Sequence, residues 1–325
     1  LSWAAARARI KTVLEGVKIT NLVENPSFEA GDFGYEVDAG LTGLVVVDVF
    51  YLETASLRVT GGGGASKTLY ILKFDGTRMP VLANEFYAFS THIKPDPANS
   101  PTTISGRPVI EWRDSGGAVI STTLGATANY APADDWRRID VGAVAPTNAV
   151  TARPGWRETG FWGGGKILYF DGVMFNQGSL LDYIDGSQAG CVWDGTAHES
   201  TSHRGIKVVY DNPPSKIADW PCFVMGLPSI DEITRVAHTR LKKYSVPLRL
   251  ITRDEELSSS AGFLDAIREE VIDAFDDNVL LNGIVQLAGV QSAPSPVELD
   301  YGADKFVALD CILHVAIKEA YNFQT

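Results

Sequence analysis

The chain has 325 residues, 45% hydrophobic and 21% charged, so it can bury a core, and its length suggests about two domains. Lys and Arg total 28 against 40 Asp and Glu, a net charge of −12 that opposes an extended phosphate-binding surface and so a sequence-specific nucleic-acid partner. No apolar run nears the ~20 residues of a membrane helix, and Cys191, Cys222 and Cys311 match neither a zinc spacing nor a disulfide framework.

The chain opens with Trp3, Ala6, Ile10, Val13, Leu14 and Val17 at helical spacing. Ser2 can cap this helix and Gly16 can end it. Arg7, Arg9 and Lys11 interrupt the apolar pattern, so the segment does not read as a secretory leader. A reducing cytoplasm is the expected place of synthesis, with buried thiols. A helix this short needs a partner surface. From Asn21 to about residue 178 the pattern is short alternating runs separated by Gly, Pro, Asn and Asp. Examples are Tyr87-Ala88-Phe89-Ser90, Val109 to Arg113, Trp136 to Val141 and Ile167 to Asp171. Such runs predict an all-β sandwich. Residues 179–204 are polar and predict a connector arm.

After Gly205 the texture changes. Ile206 to Tyr210 and Cys222 to Met225 predict short strands. Tyr244, Val246, Leu248 and Leu250 alternate, and Pro247 among them predicts an edge strand or a bulge. Ser258 to Ser260 can cap a helix whose stripe is Phe263, Leu264, Ile267, Val271, Ala274 and Phe275. Val307, Leu309, Cys311, Leu313, Val315 and Ile317 predict a long final strand. One sheet needs both helices to cover it. The expected architecture is therefore a discontinuous α+β domain, residues 1–19 plus 205–325, interrupted by a sandwich at 20–178 and the arm at 179–204. The echo of Gly16-Val17-Lys18-Ile19 in Gly205-Ile206-Lys207-Val208 supports nesting. The alternative is an N-terminal helix packed on the sandwich.

Asn25-Pro26-Ser27-Phe28-Glu29, Ala55 to Thr60, Tyr87 to Ser90 and Tyr169-Phe170-Asp171-Gly172-Val173 resemble carbohydrate-binding modules of the galactose-binding-like jelly-roll type. Leu181 to Gly186, Trp193 to Thr196 and His198 to Ser202 are similar to a segment that follows such modules in bacteriophage minor tail proteins. The outer segments, with Ala8 to Gly16 and Tyr210-Asp211-Asn212-Pro213-Pro214, resemble tail terminators of long, non-contractile-tailed phages. That resemblance implies a structural virion protein, not an enzyme. It implies a homo-oligomeric ring, a hexamer, that caps the tail tube and joins it to head–tail neck proteins. Assembly would take place in the host cytoplasm, with the jelly roll facing host glycans. The terminator family has no such insert as a standard part. The alternatives are a minor tail adhesin whose main role is host-glycan binding, another neck protein, or a glycan-degrading enzyme.

The resemblance implies no required cofactor and a structural calcium where the Asn-Pro-Ser-Phe-Glu turn meets the last strand, with Glu29 and Asp171 at the matching positions. Ordinary surface carboxylates are the competing reading. Sugars stack on exposed aromatic faces, and Trp156, Phe161 and Trp162 in a Gly-rich stretch are the candidates. Burial competes with exposure there, whereas Trp112 and Trp136 read as core. Gly160 to Lys166 matches the start of a P-loop, but Ile167 stands where magnesium needs Ser or Thr, and no helix follows. A glycine-rich turn is expected instead. The five histidines form no His-Glu-x-x-His motif, and no serine elbow occurs.

Overall fold

A computed structural model describes the chain except residues 1, 65, 101, 161–162, 179, 181–182, 189–190, 237–238, 254–256, 282–286, 293–295, 302–303 and 321–325. It divides into two compact units, Thr20–Arg204 and a discontinuous one made of Leu1–Ile19 and Gly205–Thr325. In chain order the elements are α1 (Trp3–Glu15), β1 (Lys18–Asn21), β2 (Tyr35–Val37), β3 (Leu41–Val46), β4 (Ser56–Gly61), β5 (Thr68–Ile71), β6 (Met79–Pro80) and β7 (Phe86–Pro95). Next come β8 (Ile104–Arg113), β9 (Val119–Leu124), β10 (Ala128–Tyr130), β11 (Arg137–Val144), β12 (Thr151–Glu158), β13 (Ile167–Gln177), β14 (Cys191–Trp193) and β15 (Ser202–Gly205). The last are β16 (Val208–Tyr210), β17 (Cys222–Met225), β18 (Ser229–Val236), β19 (Thr239–Arg253), α2 (Leu257–Asp276), β20 (Leu287–Ser292), β21 (Val297–Tyr301) and β22 (Asp304–Ala320).

The unit at 20–204 is a sandwich of two sheets. One runs β10-β8-β12-β5-β2, with β6 beside β12 and β9 beside β8; the other runs β11-β7-β13-β4-β3. Strands β1, β15 and β14 form a separate three-stranded sheet. Alternation sends Leu57, Val59, Leu69, Ile71, Phe89, Ile110, Trp112, Trp156, Phe170 and Phe175 into one shared core. One tight point lies between β8 and β12. A Cβ at Gly106 would stand 2.0 Å from Trp156 Cζ2 and 2.8 Å from the Arg157 carbonyl oxygen. Gly106→Ala is therefore expected to cost about 1–3 kcal/mol through overpacking, read as a lower urea midpoint.

In the discontinuous unit a seven-stranded sheet runs β16-β17-β19-β22-β20, with β18 on β19 and β21 on β22. Strands β19 and β22 pair antiparallel in unbroken register from Thr239↔Ala320 to Arg253↔Phe306. Leu309, Leu313 and Ile317 of β22 are fully buried, as are Leu264, Ile267 and Phe275 of α2. Helix α1 starts where Ser2 Oγ accepts from the Ala5 N–H at 3.3 Å and buries Ala6, Ile10, Val13 and Leu14. Pro247 lies inside an interior strand. Its missing donor falls at the gap between the β18 pairing, which starts at Ser245, and the β17 pairing, which starts at Leu248.

The expected α+β tail-terminator-like fold is corrected by this architecture. Among the described residues the chain is nearly all β, 49% strand with two helices. The apolar stripes of α1 and α2 outweighed strands that carry charge. In Ser229–Val236 the adjacent Asp231 and Glu232 break period two, and Val297–Tyr301 alternates over only five residues, with Glu298 and Asp300 exposed. With that fold goes the basis for a hexameric ring on a tail tube.

Candidate functional site

The structure places Trp156, Glu29 and Asp171 as follows. Trp156 lies in β12, not in a loop, and is fully buried, with Tyr130 and Phe170 edge-on at 6.4 and 5.8 Å. A ring without an exposed face offers no stacking platform. Phe161 and Trp162 lie outside the described residues. Of the P-loop lookalike, residues 163–166 form a turn that runs directly into β13. Trp136, read as core, is half-buried at the surface beside Tyr51, which stacks on His92 at 4.0 Å.

Glu29 and Asp171 are brought to one turn. Glu29 Oε1 accepts from the N–H groups of Thr54 and Ala55, both at 2.7 Å, and its Oε2 accepts from the Thr54 hydroxyl at 2.5 Å. Asp171 Oδ2 accepts from Tyr51 and Leu52 N–H at 2.8 Å, and Oδ1 from Gly172 N–H at 2.6 Å. All four oxygens thus accept from protein donors, which is the chemistry of a turn anchor. Burial pushes the Asp171 carboxyl up to about 7 against these donors, and the nearby Glu29 charge adds to the rise.

Close by, donor atoms of Glu53, Asp185 and His198 lie within 4.8 Å of one another, a set that could hold a metal. Asp185 already accepts from Tyr183 Oη at 2.8 Å and from Ser187 N–H at 2.7 Å. Glu53 and His198 both adopt left-handed backbone, with φ of 55° and 60°.

A dense polar cluster was missed in the sequence: Thr68, Tyr70, Glu111 and Arg153 are buried in it, Arg107, Arg113 and Arg157 half-buried, and Glu36 is exposed. It lies on the outer face of the seven-stranded sheet of the sandwich. Because Trp112 and Trp156 point inward, alternation sends Arg107, Glu111 and Arg113 of β8 outward, with Arg153 and Arg157 of β12, Tyr70 and Thr68 of β5, and Glu36 of β2. Register sets these side by side: Arg153 faces Glu111, Arg157 faces Arg107 and Thr68, and Glu36 faces Tyr70. Gly155 leaves the middle of β12 without a side chain, between Tyr70 and Val109. It must be glycine, since a Cβ there would meet Leu69 O at 2.1 Å.

The groups are tightly knit. Arg153 binds Glu36 Oε2 through Nη1 and Glu111 Oε1 through Nη2, both at 2.8 Å, and lies 3.8 Å over the Tyr70 ring. Arg113 Nε meets Glu111 Oε1 at 2.6 Å. The Tyr70 hydroxyl donates to Glu111 Oε2 at 3.2 Å and accepts from Arg157 Nη2 at 3.4 Å. Burial of Glu111 opposes its charge, but the hydrogen bonds and charges of Arg113 and Arg153 prevail and hold its carboxyl below the ordinary range. Alternating arginines and a glutamate through Arg107 to Arg113 and Arg153 to Arg157 were the sequence signal for this face.

No protein-family model and no curated protein matches the chain. Among solved structures it is similar to the CBM22-1 xylan-binding domain of Paenibacillus barcinonensis Xyn10C, at 18% identity over 46% of this chain and 90% of that one, TM-score 0.38. It is similar to the C-terminal family 22 carbohydrate-binding module of Clostridium thermocellum Xyn10B, at 13% identity over 48% and 94%, TM-score 0.39. A family 16 carbohydrate-binding module matches at 16% identity over 48% and 99%, TM-score 0.34. These three structures are carbohydrate-binding domains, and each match spans about half of this chain.

Proposed function

We propose that the 20–204 unit is a glycan-binding module that acts through the outer face of its seven-stranded sheet. The carrying observation is the composition of that face: four arginines and two glutamates around the side-chain-free centre at Gly155. A purely structural network would match each guanidinium with a carboxylate, and this one does not. Planar guanidinium and carboxylate groups donate to and accept from neighbouring sugar hydroxyls, two bonds at a time. The face is read as binding: Arg113 and Arg153 hold the Glu111 carboxyl below the ordinary range, the opposite of what the general acid of a glycosidase needs. The similarity of residues 181–202 to segments of phage minor tail proteins supports a virion setting in which host glycans are the partner.

Affinity electrophoresis of the whole chain through gels holding different polysaccharides tests this reading. Retention on at least one polysaccharide is expected. Glu36 is exposed but pairs with the buried Arg153, so Glu36→Gln is expected to lower the melting temperature slightly and to weaken retention about tenfold. Mobility unchanged in every gel would sink the reading.

A further inference from the structure

The four guanidinium groups of this face are not equivalent. Arg113 and Arg153 rest on Glu111 and Glu36. Arg107 and Arg157 instead stand directly opposite one another across the β8–β12 pair. Alternation places both on the outer side, where opposed residues bring their Cβ atoms within about 5 Å and like charges repel. Among the described residues neither enters an ion pair. Arg157 reaches two neutral oxygens, Thr68 Oγ1 at 3.2 Å and Tyr70 Oη at 3.4 Å. Arg107 Nε is buried with no acceptor. A buried donor without a partner is costly, and two adjacent half-buried cations make it more so. The missing component is an anion, and a paired guanidinium fork fits the planar carboxylate best.

Resting on the glycan reading above, we propose that Arg107 and Arg157 form an anion subsite at one end of the face. The ligand is then an acidic saccharide, its carboxylate or sulfate ester held by the two arginines. Its hydroxyls lie toward Tyr70, Arg153 and Glu111. The surplus of positive charge is local: the chain as a whole carries −12 and would repel such a polymer elsewhere.

Calorimetric titration of the full chain separates the possibilities. The probes are polygalacturonate, its fully methyl-esterified form, dextran sulfate, dextran and polyglutamate. The expected result is at least tenfold tighter binding of an acidic polysaccharide than of its neutral counterpart. Whichever of polygalacturonate and dextran sulfate binds identifies the anion. Arg107→Gln/Arg157→Gln is expected to abolish that preference and to leave the melting temperature equal or higher, because a repulsive pair is removed. Equal affinity for charged and neutral forms overturns the anion subsite and leaves the glycan reading intact. Binding of polyglutamate as tight as that of the acidic polysaccharide overturns the saccharide part. If no polysaccharide binds, the glycan reading fails and this inference fails with it. Should the double variant not fold, the preference of the unmodified chain decides.

Discussion

Trp156→Ala is expected to destabilise the sandwich by about 3–5 kcal/mol, enough to unfold a marginal domain. The ring fills the space between the two sheets, with Phe170 on one side and Tyr130 on another. The surrounding strands cannot collapse onto the gap. Gly106 and Gly155 already bring β8, β12 and β5 to their closest approach, so the backbone there has no slack to close. The expected measurement is a large fall in the urea midpoint of the 20–204 unit, with sugar affinity lost only as the fold is lost. A stable variant that had lost sugar affinity alone would return Trp156 to the binding surface and contradict its burial.

The second large effect is a pH dependence hidden in the wild type. Asp171 and His92 are register partners on β13 and β7. Burial, with help from Glu29, raises the Asp171 carboxyl to about 7. Burial, with the nearby Arg138 charge, lowers the His92 imidazole to about 4, although the Gly172 backbone favours its charged form. The signs oppose. A raised acid keeps a proton in the folded state that the unfolded chain has released, so above about pH 4 its contribution falls as pH rises. A depressed histidine has given up a proton that the unfolded chain still holds, so its contribution rises between about pH 4 and 6.5. In the wild type these two slopes cancel, so the pair's net contribution to stability is expected to be nearly flat from about pH 4.5 to 6.5. Asp171→Asn removes one slope. Its stability is expected to rise by roughly 2–3 kcal/mol over that interval relative to wild type. The variant is also expected to lie about 1–3 kcal/mol below wild type at pH 4.5, because an amide cannot accept from all three backbone donors. Urea midpoints for both proteins across the interval provide the comparison; parallel curves would show that Asp171 does not titrate there.

Parts of this molecule were legible because burial imposes a period. The stripe at Trp3 to Val17 is α1, and the alternation from Val307 to Ile317 is the middle of β22, fully buried on that side. Other parts were hidden by chemistry that breaks the period. Trp156 reads as part of a Gly-rich stretch, next to Pro154 and Gly155, yet Thr151–Glu158 is an interior strand whose inward residues include Ala152, Pro154 and Trp156. Proline is tolerated in the sheet there, and glycine is required by the approach of Leu69. The candidate site was hidden for a related reason. Arg107, Glu111, Arg113, Arg153 and Arg157 read singly as solvated charges, and only strand register shows that they share one face. Resemblance pairs Glu29 with Asp171; the N–H groups of residues 51–55 that both accept from are not displayed by a sequence.

That the outer face of the seven-stranded sheet holds saccharide is tested most directly by hydrogen–deuterium exchange of the full chain with and without a polysaccharide that it binds. The expected result is slowed exchange across Arg107–Arg113, Thr68–Ile71 and Thr151–Glu158. Protection confined to residues 47–55 and Trp136, or no protection in the sandwich at all, would contradict it.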